Sequence, residues 1–169
     1  MKEIEVKILE VNVDDIERKL RSLGAKIIFN GTLNNVYFDT EGKSLKLKSA
    51  VLRLRFDGKK AFLTLKEKIS LGYSKIANEL EVVMEDFDKM KSILNAMGFE
   101  KTMEYSKKRI SYALDKVHFE IDFIKGIPPY LEIESEDEEL IRKYVKALGF
   151  KQSDAKNWTT KQLMKHYKK

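Results

Sequence analysis

The chain has 169 residues, 43% of them hydrophobic and 36% charged, with 33 Lys and Arg against 27 Asp and Glu for a net charge of +6. That length supports one domain with a real core, and that hydrophobic content excludes a disordered chain. The absence of cysteine excludes disulfides, thiol catalysis and thiolate metal sites, and with only His118 and His166 to supply imidazole, any metal must be held mainly by carboxylates.

The first predicted strand, 2–10, sets Ile4, Val6 and Ile8 on one face and Glu3, Glu5 and Lys7 on the other, because successive strand side chains alternate. A helix follows near 13–23 with Ile16, Leu20 and Leu23 inward and Gly24 as its stop. Strands are expected at 26–30 and 34–39, then at 50–57, where Arg53 and Arg55 oppose Leu52, Leu54 and Phe56. Asp57-Gly58 marks a hairpin turn into 60–67, where Thr64 and Lys66 oppose Leu63 and Leu65. In 76–85, Glu79 and Glu81 oppose Leu80 and Val82; a helix at 86–97 follows, with Phe87, Met90, Leu94 and Met97 inward and Gly98 as its stop. Lys107 and Arg109 share a face of 103–113 with Tyr105 and Ser111, and a turn at Leu114, Asp115 and Lys116 leads into 116–124. There Glu120 and Asp122 oppose Phe119, Ile121 and Phe123, and in 130–135 Glu132 and Glu134 oppose Leu131 and Ile133. A helix at 136–148 carries Leu140, Ile141, Tyr144 and Leu148 inward, ends at Gly149, and has Ser135 and Glu138 spaced as a capping box. The stretch 154–168 reads as a short helix anchored by Trp158, Leu163 and Met164.

Three segments thus repeat one plan, a Glu-x-Glu strand, an amphipathic helix and a glycine stop, which points to pseudo-symmetry. The prolines are confined to Pro128 and Pro129 and no linker interrupts the chain, so a single domain over 1–169 is expected. The three helices need an apolar sheet face to cover, and the Ile, Leu, Val and Phe positions supply it. The charged faces then look inward, across a closed antiparallel barrel of about eight strands. Buried charge must be paired or bind ions. One set is basic (Arg53, Arg55, Lys66, Lys107, Arg109), the other acidic (Glu3, Glu5, Glu79, Glu81, Glu120, Asp122, Glu132, Glu134). A polyphosphate with its cations matches both.

Glu3-x-Glu5-x-Lys7 resembles the signature of the CYTH superfamily, the triphosphate tunnel metalloenzymes. The rest follows in order: Tyr37-Phe38-Asp39, Leu52-Arg53-Leu54-Arg55, Leu63-Thr64-Leu65-Lys66, Glu79-x-Glu81, Lys107-x-Arg109, Asp122 and Glu132-x-Glu134. The stretch from Trp158 to Met164 is similar to the C-terminal motif of the class IV adenylyl cyclase branch, with Trp158 in place of tyrosine. The resemblance implies an α+β fold whose barrel is a tunnel with a charged interior and helices outside. It implies that Lys7, Arg53, Arg55, Lys66, Lys107 and Arg109 grip a triphosphate, with Lys7, Arg53 and Lys107 catalytic. It implies that Glu3, Glu5, Asp122, Glu132 and Glu134 hold Mg²⁺ or Mn²⁺, helped by Glu81.

The expected activity is conversion of ATP to cyclic AMP and pyrophosphate. The alternatives are a triphosphatase acting on inorganic triphosphate, thiamine triphosphate or a nucleotide, and a binder without turnover. The partner is a nucleoside triphosphate or another small triphosphate, and the architecture is compatible with a homodimer. Nucleic acid is not expected as a partner, because the Arg and Lys positions alternate inward and no aromatic stacking platform is evident. No apolar run approaches the length of a membrane span and no signal segment is evident, so a cytoplasmic protein is expected. Tyr37 and Tyr105 are read as packing or hydrogen-bonding residues, Asp39 as structural, His118 and His166 as surface residues, and Trp158 as packing against the C-terminal helix.

Overall fold

The computed structural model describes residues 2–167, with Leu71 described by its backbone alone. Among the described residues nine strands form, β1 (Lys2–Ile8), β2 (Lys26–Thr40), β3 (Ala50–Phe56), β4 (Ala61–Leu71), β5 (Lys75–Met84), β6 (Phe99–Leu114), β7 (Val117–Ile124), β8 (Tyr130–Ser135) and β9 (Ala155–Lys156). The helices are α1 (Val13–Ser22), α2 (Ser44–Leu47), α3 (Phe87–Ala96), α4 (Glu138–Ala147) and α5 (Thr160–Tyr167). Hydrogen bonding runs in the order β5-β4-β3-β2-β6-β7-β8-β1-β9, and β5 also pairs with β1. The eight longer strands therefore close into a ring, with two-residue β9 added to β1. The α+β fold built on a ring of antiparallel strands is the one that the alternating charges imply.

Contacts gather the residues into two compact units. One comprises Gly31–Ile69 and Ala77–Lys107; the other comprises Lys2–Asn30, Ser70–Ile76 and the chain from Lys108 onward. In the second unit, Ile4, Val6 and Ile8 of β1 pack with Ile16 and Leu20 of α1, with Ile141 and Val145 of α4 and with Leu148, its C-cap. The Phe119 and Tyr144 rings meet edge to face at 5.2 Å. In the first unit, Val36, Phe38, Leu52 and Leu54 pack with Leu94 of α3, and Phe87, Met90, Leu63 and Leu65 close the cluster. Each fully buried Leu or Ile contributes on the order of 1.5–3 kcal/mol.

Local chemistry explains the helix limits. The Asn12 side chain accepts from the Asp15 N–H, Asp14 and Asp15 occupy the first turn of α1, and Lys19 and Arg21 the last, so both ends complement the helix dipole. Gly24, Gly98 and Gly149 follow their helices at φ of +88°, +84° and +87°, the left-handed geometry that a glycine stop allows.

Several expectations change. The strands expected at 26–30 and 34–39 are one 15-residue strand, because Gly31 continues it rather than breaking it. The capping box of Ser135 and Glu138 does not form: α4 starts at Glu138, Asp137 is the cap and accepts from the Glu139 N–H at 2.9 Å, and the Ser135 hydroxyl donates to the Lys116 carbonyl. Leu23 and Met97, expected inward, are each the C-cap of their helix and are exposed. Leu80 and Val82, expected on the face that the helices cover, are 67% and 54% exposed; on that face of β5 it is Met84 that packs in the cluster with Leu94 of α3. The helix expected over 154–168 begins only at Thr160, after β9, and position 168 lies outside the described residues.

Candidate functional site

A strand with one face in water would expose alternate residues, yet β1 is buried at every position from Glu3 to Ile8. Its charged face lies beside those of β8 and β7. Antiparallel register sets Glu5 opposite Glu134 and Lys7 opposite Glu132, and sets Glu132 in turn opposite Glu120. Like charges opposed across a strand pair repel, and here cations lie among them. Lys7 Nζ is 2.5 Å from Glu5 Oε1 and 3.3 Å from Glu132 Oε1. Arg109 forks onto Asp122, with both N–O distances 2.6 Å, and reaches Glu132 at 3.0 Å and Glu120 at 3.3 Å. The Ser111 hydroxyl also donates to Glu120.

These pairs decide the protonation states. Burial alone would lower the Lys7 pKa, but Glu132 and Glu5 outweigh it and hold the ammonium above the ordinary lysine value. Burial acts against Arg109 as well, and Asp122 followed by Glu120 overcomes it, holding the guanidinium charged. On this face, Glu3, Glu5, Glu120, Asp122, Glu132 and Glu134 stand against Lys7, Arg109 and Lys75, whose Nζ lies 3.1 Å from Glu5 Oε2. Among the described residues no group of three or more Asp, Glu or His side chains is already arranged around a metal position. The donors are all oxygens and the face is acidic in excess, which fits a hard divalent cation.

The first unit carries Arg53, Arg55, Lys66 and Lys107 of the basic set. Register places Arg53 beside Tyr37 on β2 and Thr64 on β4, and Arg55 beside Asn35. Arg53 Nη2 donates to Thr64 Oγ1 at 3.2 Å, and that hydroxyl donates to Glu81 Oε2 at 2.7 Å. Arg55 Nε donates to Asn35 Oδ1 at 3.2 Å, Lys66 Nζ pairs with Glu79 at 2.9 Å, and Lys107 is buried. The Tyr37 and Tyr105 rings stack at 5.9 Å, with their hydroxyls 3.2 Å apart. Burial raises the Tyr37 pKa, but Arg53, the Tyr105 hydrogen bond, Lys107 and Arg55 together pull it below the ordinary tyrosine value. Arg53, Arg55 and Lys107 around Tyr37 make the locality positive, which suits phosphate oxygens.

Of the expected metal ligands, Glu3, Glu5, Asp122, Glu132 and Glu134 share the acidic unit, together with Lys7 and Arg109. Glu81 lies instead with Arg53 and Thr64 among the bases. Asp39 is structural: its carboxylate accepts from the backbone N–H groups of Thr40, Leu45 and Lys46 and so fixes α2. His118 and His166 are exposed, and Trp158 packs on His166 at 4.9 Å. Sequence reasoning passed over Lys75, Asn35 and the Glu120 contact of Ser111. Lys75 shares the alternation of Glu79 and Glu81, the signal that could have found it, but it fell one residue outside the predicted strand.

A family model described as the CYTH domain matches residues 1–159. A Methanocaldococcus jannaschii protein carrying the name "Putative adenylate cyclase" is 28% identical over 134 residues, covering 79% of this chain and 77% of that one. The solved structure of the PH1012 protein from Pyrococcus horikoshii aligns with TM-score 0.81 and 29% identity, covering 95% of this chain and 98% of that one. A Hippeastrum protein carrying the name "Putative adenylyl cyclase" and described as revealing a dominant triphosphatase activity shares the fold, with TM-score 0.63 and 19% identity over 88% of each chain.

Proposed function

The chain belongs to the CYTH domain family, and from that premise we propose that it is a metal-dependent enzyme of triphosphates that converts ATP to cyclic AMP and pyrophosphate. The observation that carries the reading is the burial, on strand faces, of Lys7, Arg53, Lys107 and Arg109 and of Glu3, Glu5, Glu120 and Asp122, with Arg55, Lys66, Glu132 and Glu134 half-buried beside them. Folding alone would be served as well by apolar residues at such positions.

Arg53, Arg55, Lys66 and Lys107, with Lys7 and Arg109, bind the triphosphate oxygens. Lys7, Arg53 and Lys107 neutralise the charge that builds on the reacting phosphoryl group, the main requirement of phosphorus transfer. Glu3, Glu5, Asp122, Glu132 and Glu134 would hold Mg²⁺ or Mn²⁺, assisted by Glu81. When bound, such a cation supplies charge neutralisation and orientation at phosphate oxygens. In cyclisation, the 3′-oxygen of ATP bonds to the α-phosphorus, the bond from that phosphorus to the β-bridging oxygen breaks, pyrophosphate leaves, and the hydroxyl proton passes to solvent. The name of the Methanocaldococcus relative supports this product.

A second reading, hydrolysis of the γ-phosphate by water, is favoured by the composition of both faces. Their assembled groups serve phosphate and cations, and neither chemistry requires a nucleoside. The activity named for the Hippeastrum protein is of this kind. No helix among the described residues is long and apolar enough to cross a membrane.

Product analysis tests both readings: purified protein with Mg²⁺ or Mn²⁺, given ATP and separately inorganic triphosphate. Cyclic AMP with equimolar pyrophosphate is the expected result. Phosphate release without cyclic product would move the assignment to a triphosphatase, and no product from either substrate would overturn both readings in favour of a binder without turnover or another substrate such as thiamine triphosphate.

A further inference from the structure

Glu5 is held by two ammonium groups, one on each oxygen: Lys7 on Oε1 at 2.5 Å and Lys75 on Oε2 at 3.1 Å. The two cations differ in kind. Lys7 is 1% exposed, sits on the same strand as Glu5 and is shared with Glu132 at 3.3 Å. Lys75 has a side chain 15% exposed, stands at the first position of β5, and Glu5 is the one carboxylate it pairs with among the described residues.

The turn before Lys75 is pinned from outside. Asn157 Nδ2 donates to the Gly72 carbonyl at 2.5 Å, the Gly72 N–H donates to the Ser74 carbonyl at 3.1 Å, and the Arg142 guanidinium lies 3.7 Å from the Tyr73 ring centre. Ser74 itself is fully buried. The backbone under Lys75 is therefore held, while the rotatable bonds of its four-carbon arm give the ammonium a route away from Glu5.

An ammonium already on a carboxylate oxygen repels a divalent cation approaching that oxygen, so the two compete for it. We propose that Lys75 is a tethered counter-cation of Glu5, which a divalent metal must displace to bind. This rests on the reading of Glu5 as a metal ligand. Lys75 holds the acidic face neutralised while no metal is present, lowers the affinity for metal alone, and leaves an ammonium at the edge of the site once it is displaced.

The test is direct titration of the full chain with Mn²⁺ alone, reading free Mn²⁺ by electron paramagnetic resonance. Lys75→Gln removes the competing charge and is expected to bind Mn²⁺ about tenfold more tightly than the native chain, a coupling of ordinary size. Lys75→Met keeps the apolar stem and should behave alike, so the result survives if either variant folds poorly. Lys75→Arg keeps the cation and should stay near native affinity. Native or weaker affinity in Lys75→Gln and Lys75→Met, or equal tightening in Lys75→Arg, overturns the counter-cation. Glu5→Gln separates the two ideas: it should lose Mn²⁺ affinity, and if it does not, the reading of Glu5 as a ligand fails first.

Discussion

At the residue scale, the acid-rich face is decided by what partners Arg109. Asp122 is fully buried and takes both prongs of the guanidinium. Asp122→Ala leaves a buried cation short of its main partner, a change that costs about 3–5 kcal/mol when nothing compensates. Glu132 at 3.0 Å and Glu120 at 3.3 Å remain within reach, so a loss near the lower end, about 3 kcal/mol, is expected in urea denaturation without metal. A loss below about 1 kcal/mol would show that the neighbouring glutamates carry the guanidinium unaided. Asp39 makes a different prediction. Burial raises its pKa, but three backbone N–H donors outweigh it and hold it below the ordinary aspartate value. The unfolded chain therefore takes up this proton first as pH falls. The contribution of Asp39 is fully present above about pH 3.9 and is lost as pH falls through its folded value. The stability gap between the native chain and Asp39→Asn should accordingly narrow on acidification, read from denaturation midpoints at neutral and acid pH; a constant gap would contradict it.

At the element scale, helix ends are where the sequence is most legible and most testable. Gly149→Ala places a Cβ 3.3 Å from Lys19 Nζ at φ +87°, and that ammonium donates to the Leu148 carbonyl at 2.8 Å. Left-handed strain alone costs roughly 1–2 kcal/mol, and Gly149→Ala should lose more than Gly24→Ala, where nothing lies within 4 Å of the new Cβ. Thermal denaturation of the two variants side by side reads the difference, and equal losses would mean that Lys19 gives way freely. The same logic shows why some elements could be read and others could not. Alternation located the strands and glycine the helix stops, because both signals lie in a few neighbouring residues. The four-residue α2, fixed by Asp39 just before it, is too short to show a period, and the two-residue β9 depends on a partner far along the chain, the Lys7–Ile8 stretch of β1. The exposed Leu80 and Val82 escaped for the same reason: alternation assigns them a face but not what covers it.

For the whole molecule, the sequence reveals which side chains share a face but not which ones meet. Glu120 and Glu132 are 12 positions apart, and only the β7–β8 register sets them opposite each other. Neutral members of the network, such as Asn35 against Arg55, carry no charge signal to mark them. The consequence is energetic. Each buried charge is desolvated, and the internal pairs described above recover part of that cost. On the proposed reading a triphosphate with its divalent cation is bound by these charged groups, and by linkage whatever binds only the folded chain stabilises it. Triphosphate with Mn²⁺ at about 100 times the dissociation constant should therefore add about 2.7 kcal/mol. Inorganic monophosphate with Mn²⁺ at the same concentrations should add far less, because it spans fewer of Arg53, Arg55, Lys66 and Lys107. Arg55→Ala should then cut the triphosphate gain while leaving the small monophosphate gain nearly unchanged. If monophosphate stabilises as strongly as triphosphate, or if Arg55→Ala weakens both equally, the basic set answers to phosphate in general and does not act as one grip along a triphosphate chain.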